Sequence, residues 1–332
     1  MTRSQSMLLQ RRALLATFAA AMALAAAPAA HGQQFPSKPI RIVVTAPAGG
    51  TADIVARTLA EGLTAQLGQS VLVDNKPGGL GAIGLQDLLT APRDGYTIMV
   101  SANAVVSEVP HVVRQRIDPF KELKPLAELT RSALVMVGGP SVPATNLKEV
   151  IAYVKANPGK VSYASYSTGT LSHTMGLELN KAAGLDLRHV GYKGSPPALQ
   201  DVVGGHVALM FDGPATSIPM IKAGKLKAFA VSSPKRLGAL PEVPTFAELG
   251  YPQINSVGWV GLWVTPDVPA AVQARLREAT LKVLQQPRVA ERFTDLGQDV
   301  GLPLTPEELS RSLRAASDKH AALLKSIGFQ PE

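Results

Sequence analysis

The chain has no cysteine among its 332 residues. That excludes disulfides, thiolate metal sites and a lipid-modified cysteine behind an export signal. Aromatic residues make up only 5%, and no basic block interleaves with them, so nucleic acid is not an expected partner. The histidines are His31, His111, His173, His189, His206 and His320; none stands near another histidine or an acid at metal-ligand spacing on one helix. No G-K-[ST] closes a phosphate loop, and no G-x-S-x-G marks a serine nucleophile. No cofactor or metal is therefore expected, and the chain reads as a non-enzyme. A triad assembled from distant residues would carry no such local signature.

Acids are missing from the first segment. "MTRSQSMLLQRR" carries Arg3, Arg11 and Arg12, and "ALLATFAAAMALAAAPAA" follows as an apolar, alanine-rich run. Small residues then close it at "APAAHG". This is the order of a cleavable export signal, placed at residues 1–32, with an uncleaved anchor as the alternative. Arg11 and Arg12 also loosely match a twin-arginine signal. Removing the segment lowers the formal net charge from +8 to +5, with 30 basic against 25 acidic residues. That mild excess suits an anionic ligand or an ordinary surface.

From Phe35 onward, short apolar runs alternate with amphipathic ones. "IRIVV" (40–44), "SVLVDN" (70–75) and "YTIMVS" (96–101) predict strands. Between the first two, Val55, Leu59, Leu63 and Leu67 recur every fourth residue up to Gly68, which predicts a helix. A second set follows, with strands over 133–139, 161–165, 187–193, 206–212 and 226–233. Ser195 reads as the cap of the helix "SPPALQDVVGG", with Pro196 at its first position. The tail is helical, and Thr305 and Glu308 have capping-box spacing. Strand–helix alternation predicts an α/β fold with parallel sheets. Two such sets, crossed at 133–140 and 226–234, predict two lobes. The first would comprise 33–132 plus 235–332, and the second 133–234.

Two loops have the build of an anion site. In "TAPAGGTAD", Gly49 and Gly50 open a turn before a helix that begins near Thr51. In "SYSTGTLSH", Gly169 supplies the turn, with hydroxyls on Ser165, Thr168, Thr170 and Ser172. A helix start leaves backbone N–H groups free and carries partial positive charge. One carboxylate gripped by both starts is the functional reading; two ordinary capped turns are the structural one. Lys193 is a candidate ion partner, or simply a solvated lysine. Asp212 is either a ligand acceptor or a helix cap. Asp53 fits as complement to a helix dipole. Trp259 and Trp263 read as core. Gly79, Gly81 and Gly84 match G-x-G-x-x-G in form, but the next strand lacks the acid that would hold a ribose, so they read as a packing turn.

In order and spacing, "AGGTADIVAR", "VDNKPGGLGAIG", "PRDGYTIM", "YASYSTGTLSH" and "HVGYKGSPPALQDVVGGHVALMFD" resemble the Bug, or TctC-like, family of extracytoplasmic solute receptors. The resemblance covers essentially the whole mature chain. It implies a type II periplasmic-binding fold with a hinge and a central cleft, and a small carboxylate ligand: a di- or tricarboxylate, an acidic amino acid or an aromatic acid. It implies partners too, integral-membrane permease subunits of a tripartite tricarboxylate-type transporter, and a free monomer in the periplasm. A sensory receptor serving a membrane kinase, and less so a periplasmic hydrolase, are the alternatives. By resemblance the ligand contacts fall on Ala48, Gly49, Gly50 and Thr51, on Ser165, Thr168, Gly169 and Thr170, and on Tyr192 and Asp212, and Thr45 at the entry to the first loop is a further candidate. Relatives commonly read Pro-Phe at the first loop where this chain has Thr45-Ala46, which implies a roomier, more polar wall.

Overall fold

The computed structural model describes residues 35–113, 117–326 and 329–330; the export segment lies outside the described residues. Lys38 to Glu332 form one compact unit built on two sheets. No helix among the described residues is long and apolar enough to cross a membrane.

The first sheet takes β1 (Ile40–Val44), β2 (Val71–Asn75), β3 (Thr97–Ala102), β4 (Lys124–Ala133), β10 (Val257–Val264) and β11 (Asp299–Val300), in the order β11-β4-β10-β3-β1-β2. The second takes β5 (Val135–Gly138), β6 (Ser162–Ser165), β7 (Arg188–Gly191), β8 (Leu209–Asp212) and β9 (Lys227–Val231), in the order β7-β6-β8-β5-β9. The expectation of parallel sheets holds only in part. β1 is parallel to β2 and β3, and β6 to β7 and β8. β10 runs antiparallel to β3 and β4, and β5 runs antiparallel to β8 and β9. The reversed strands flank the passages between sheets. β4 ends in the first sheet at Ala133, and β5 opens in the second at Val135.

The chain returns at Val257, later than the expected crossing. Before that, Leu240 and Val243 pack into one core of the second sheet and Phe246 and Ile254 into the other. Ser232 ties the passages together. Its N–H donates to Leu134 O, its Oγ accepts from Leu134 N and donates to Ser256 O, and its carbonyl accepts from Ser256 N.

The helices follow from apolar periodicity. α1 (Thr51–Leu67) buries Val55, Leu59, Leu63 and Leu67 and ends at Gly68, whose φ of 67° accommodates a left-handed cap. After α2 (Ala82–Thr90) come α3 (Leu147–Ala156), α4 (Leu171–Ala183), α5 (Ser195–Val203) and α6 (Pro214–Lys222) around the second sheet. α7 (Ala270–Leu284), α8 (Pro287–Asp295) and α9 (Pro306–Ser326) complete the tail. The capping box at α9 forms: Glu308 N donates to Thr305 Oγ1 at 3.2 Å, and Thr305 N to Glu308 Oε2 at 2.8 Å. Trp259 and Trp263 stack 5.2 Å apart beside Met99, Leu309 and Leu313.

Candidate ligand-binding site

The first loop is held from within. Gly50 N donates to Pro47 O at 3.0 Å, closing the turn, and Gly49 adopts φ 77°. Gly49 N donates to Asp53 Oδ2 at 2.8 Å, and Asn75 Nδ2 bridges Asp53 Oδ1 and Ala46 O. Burial alone would raise the Asp53 carboxyl, but hydrogen bonds from Arg57, Gly49 and Asn75 outweigh it and hold the group below its ordinary range. Asp53 is therefore the brace of the loop as well as an acid in a first helical turn. The N–H groups of Gly49 and Gly50 are engaged inside the loop. No side chain caps α1 at Gly50, and Thr51 and Ala52 face an open cavity. Thr51 Oγ1 is buried and has no hydrogen-bond partner among the described residues.

The second loop is likewise self-satisfied. Ser165 Oγ lies 2.6 Å from His189 Nε2 and 3.0 Å from Ser167 O. Gly169 N donates to His173 Nδ1, and Thr170 Oγ1 to Ser167 O. The first N–H of α4, on Leu171, is taken at 2.8 Å by Glu108 Oε2, which reaches across from the segment between β3 and β4. The N–H groups of Gly49, Gly50, Gly169 and Leu171 are thus taken within the protein. Ser165 and His189 resemble a nucleophile–base pair, yet Ser165 is wholly buried and does not line the cavity. Burial pushes His189 down to about 4.

A cavity of about 460 Å³ opens between these loops. Of the expected contacts, Thr45, Gly50, Thr51, Thr168, Thr170 and Tyr192 line it, as does Lys193. Ala48, Gly49, Ser165, Gly169 and Asp212 do not line it; Ala48 and Gly49 are exposed to solvent, and Ser165 and Asp212 are fully buried. Thr45 Oγ1 is 2.6 Å from Ser101 Oγ. The Gly79–Gly84 turn closes on the same residue: a Cβ at Gly84 would lie 2.9 Å from Thr45 Cγ2, so the glycines serve close packing. Tyr192 turns its hydroxyl to Asp201 Oδ2. Asp212 is fully buried; burial raises its carboxyl to about 6 despite nearby hydroxyls, and Thr216 Oγ1 donates to its Oδ2 at 2.6 Å.

Sequence reasoning missed Ser101, Asn103, Glu108 and Tyr166 as lining residues, and took Ser195 and Trp259 for a cap and core. Trp259 is buried and yet forms part of the wall. Gly194 is the actual cap residue of α5. Ser195 follows it in the first turn, and its Oγ is buried beside the Asp212 carboxyl, whose pKa it helps to lower, without a well-formed hydrogen bond. The walls meet tightly here: a Cβ on Gly194 would stand 2.7 Å from Pro47 Cδ, and one on Gly213 2.8 Å from Thr51 Oγ1.

Residues 55–329 match the family described as the tripartite tricarboxylate transporter family receptor. The chain belongs to that family. It is a periplasmic solute-binding receptor, not an enzyme. A UPF0065 protein of Bordetella pertussis strain Tohama I is 32% identical over 320 residues, covering 96% of this chain and 98% of the relative. The periplasmic binding protein BugD has a TM-score of 0.85 at 33% identity, covering 90% of this chain and 100% of that one. The R. palustris protein Rpa4515, solved with adipate, has a TM-score of 0.86 at 26% identity, covering 90% and 100%. The two-lobed type II arrangement of this receptor family accounts for the paired sheets and the cavity between them.

Proposed function

We propose that this receptor captures a small carboxylate in the cavity and delivers it to integral-membrane permease subunits of a tripartite tricarboxylate-type transporter. The observation that carries the reading is Thr51 Oγ1, a buried hydroxyl with no partner among the described residues, together with Ser195 Oγ, which has only the Asp212 carboxyl near it, at two helix starts lining one cavity. Buried polar atoms without partners are rare in native proteins, and a ligand acceptor would satisfy these. Helix starts favour anions, and Lys193 adds a positive charge at the rim. A relative carrying adipate supports the carboxylate class. Residues 1–32 act as the cleaved export signal, and the mature chain works as a monomer. The lobes hinge at Leu134 and Ser232–Ser256, where both passages are hydrogen-bonded to one serine.

A thermal-shift screen of the chain from residue 33 against many small acids tests this. A ligand that binds only the native state raises the melting temperature. At least one carboxylate should do so, and Gly50→Val should abolish the shift while preserving the fold. A Cβ there would already lie 3.1 Å from Pro47 O, so the branched side chain would disturb the helix start. A Gly50→Val protein that binds normally would remove the first loop from the site.

A further inference from the structure

Glu108 is the only acid, and Lys193 the only base, among the described residues that line the cavity. Glu108 is 8% exposed and sits with Val105, Val109, Val112 and Leu171 along the lining. Its Oε2 accepts the Leu171 N–H. The Leu171 N–H is the one donor and no ion pair is made to the carboxylate among the described residues, and its Oε1 is left facing the cavity. A carboxylate taken out of water without a counter-charge is costly to keep, and such a group in a ligand cavity implies that the ligand supplies the missing charge. The acid also occupies the α4 start, a place otherwise suited to a ligand anion, while Thr51 lies against Gly213 at the α6 start. The cavity thus presents an anion on one helix start and hydroxyl donors at others, of which Thr51 Oγ1 has no partner among the described residues.

We propose that Glu108 is the specificity-determining residue of this receptor and that its ligand is a monocarboxylate bearing an ammonium group, with the ammonium on Glu108 and the carboxylate at Thr51 and Ser195. The inference rests on the carboxylate-receptor reading above. A dicarboxylate would bring a second negative charge towards Glu108, and like charges in a water-poor site cannot both stay ionised without cost. An unsubstituted monocarboxylate would leave Glu108 without a counter-ion. An aminocarboxylate satisfies both ends.

The test is calorimetric titration of the mature protein at about pH 8, where ordinary carboxyls are ionised and most amines are protonated. The probes are α- and ω-amino monocarboxylates of three to eight carbons, the dicarboxylates of the same lengths, and the corresponding unsubstituted monocarboxylates. The best aminocarboxylate should bind about tenfold or more tightly than its length-matched dicarboxylate and monocarboxylate. Glu108→Gln should erase that preference; its amide oxygen can still accept from Leu171 N, so the α4 start remains satisfied. A dicarboxylate or plain monocarboxylate that binds the wild type as tightly as any aminocarboxylate overturns the inference and leaves the receptor reading standing. So does a preference for aminocarboxylates that survives in Glu108→Gln. Failure of all three series to bind overturns both.

Discussion

Thr51 and Ser195 show how a residue can serve a ligand at little expense to the fold. Thr51 Oγ1 makes no hydrogen bond among the described residues, so removing it breaks none, and Ser195 Oγ only rests beside the Asp212 carboxyl. Thr51→Val should therefore leave the melting temperature of the ligand-free protein unchanged or slightly higher, and Ser195→Ala, which takes a hydroxyl from beside buried Asp212, should lower it slightly. Each should weaken ligand binding by about tenfold, the loss of one net hydrogen bond. Calorimetry beside thermal denaturation separates the two effects; a large drop in stability would mean that the hydroxyls are structural.

Glu108 works in the opposite sense. Burial raises its carboxyl from 4.5 to about 7, against a smaller lowering by the Leu171 N–H. Well below pH 4.5 the acid is neutral in both folded and unfolded chains and costs nothing. As pH rises towards 7 the unfolded chain loses that proton more readily than the folded one, so stability falls. Ligand-free wild type should lose roughly 3 kcal/mol relative to Glu108→Gln between pH 4.5 and pH 8. Urea melts at both ends of that range measure it, and parallel curves for the two proteins would refute the burial argument.

Elements carried by periodicity were legible in the sequence, and those carried by pairing were not. α1 announces itself through Val55, Leu59, Leu63 and Leu67, and its stop through Gly68. β4 does not, because Pro125, Glu128 and Arg131 interrupt its apolar pattern. Glu128 is nevertheless buried, held by Arg131 Nε and Nη2 from three residues away, and partners on both sides, β10 and β11, stabilise the strand. The antiparallel strands escaped notice for a related reason: direction is set by where the chain crosses between sheets, which local composition does not encode. Ser232 is the strongest case, since one hydroxyl serves both passages. Ser232→Ala would leave the buried Leu134 N–H without its acceptor and should cost about 1–3 kcal/mol. Equilibrium denaturation reads that loss; unchanged stability would mean that the tie is incidental.

For the whole molecule, strand–helix alternation and the two glycine turns told of paired lobes and of the region where a cavity would form. They could not tell which residues meet across it. Glu108 and Leu171 stand 63 residues apart, and Val112 meets Gly169 from an equally remote segment. That second meeting is a contact between walls. A Cβ on Gly169 would lie 2.1 Å from Val112 Cγ2, and φ at Gly169 is 75°, where a side chain adds strain. Gly169→Ala should therefore oppose the arrangement with the walls together far more than it disturbs either sheet. If that arrangement is the binding-competent one, the variant's apparent affinity falls by the fraction of molecules that still reach it. A loss of about ten- to a hundredfold is expected, with a larger radius of gyration than wild type at equal ligand concentration. Val112→Ala in the same protein removes the two nearest colliding atoms but leaves the Cβ of residue 112 at 2.7 Å, so it should recover part of the affinity and not all of it. If Val112→Ala recovers nothing, the glycine is required for the shape of its own loop and the wall contact carries no part of closure.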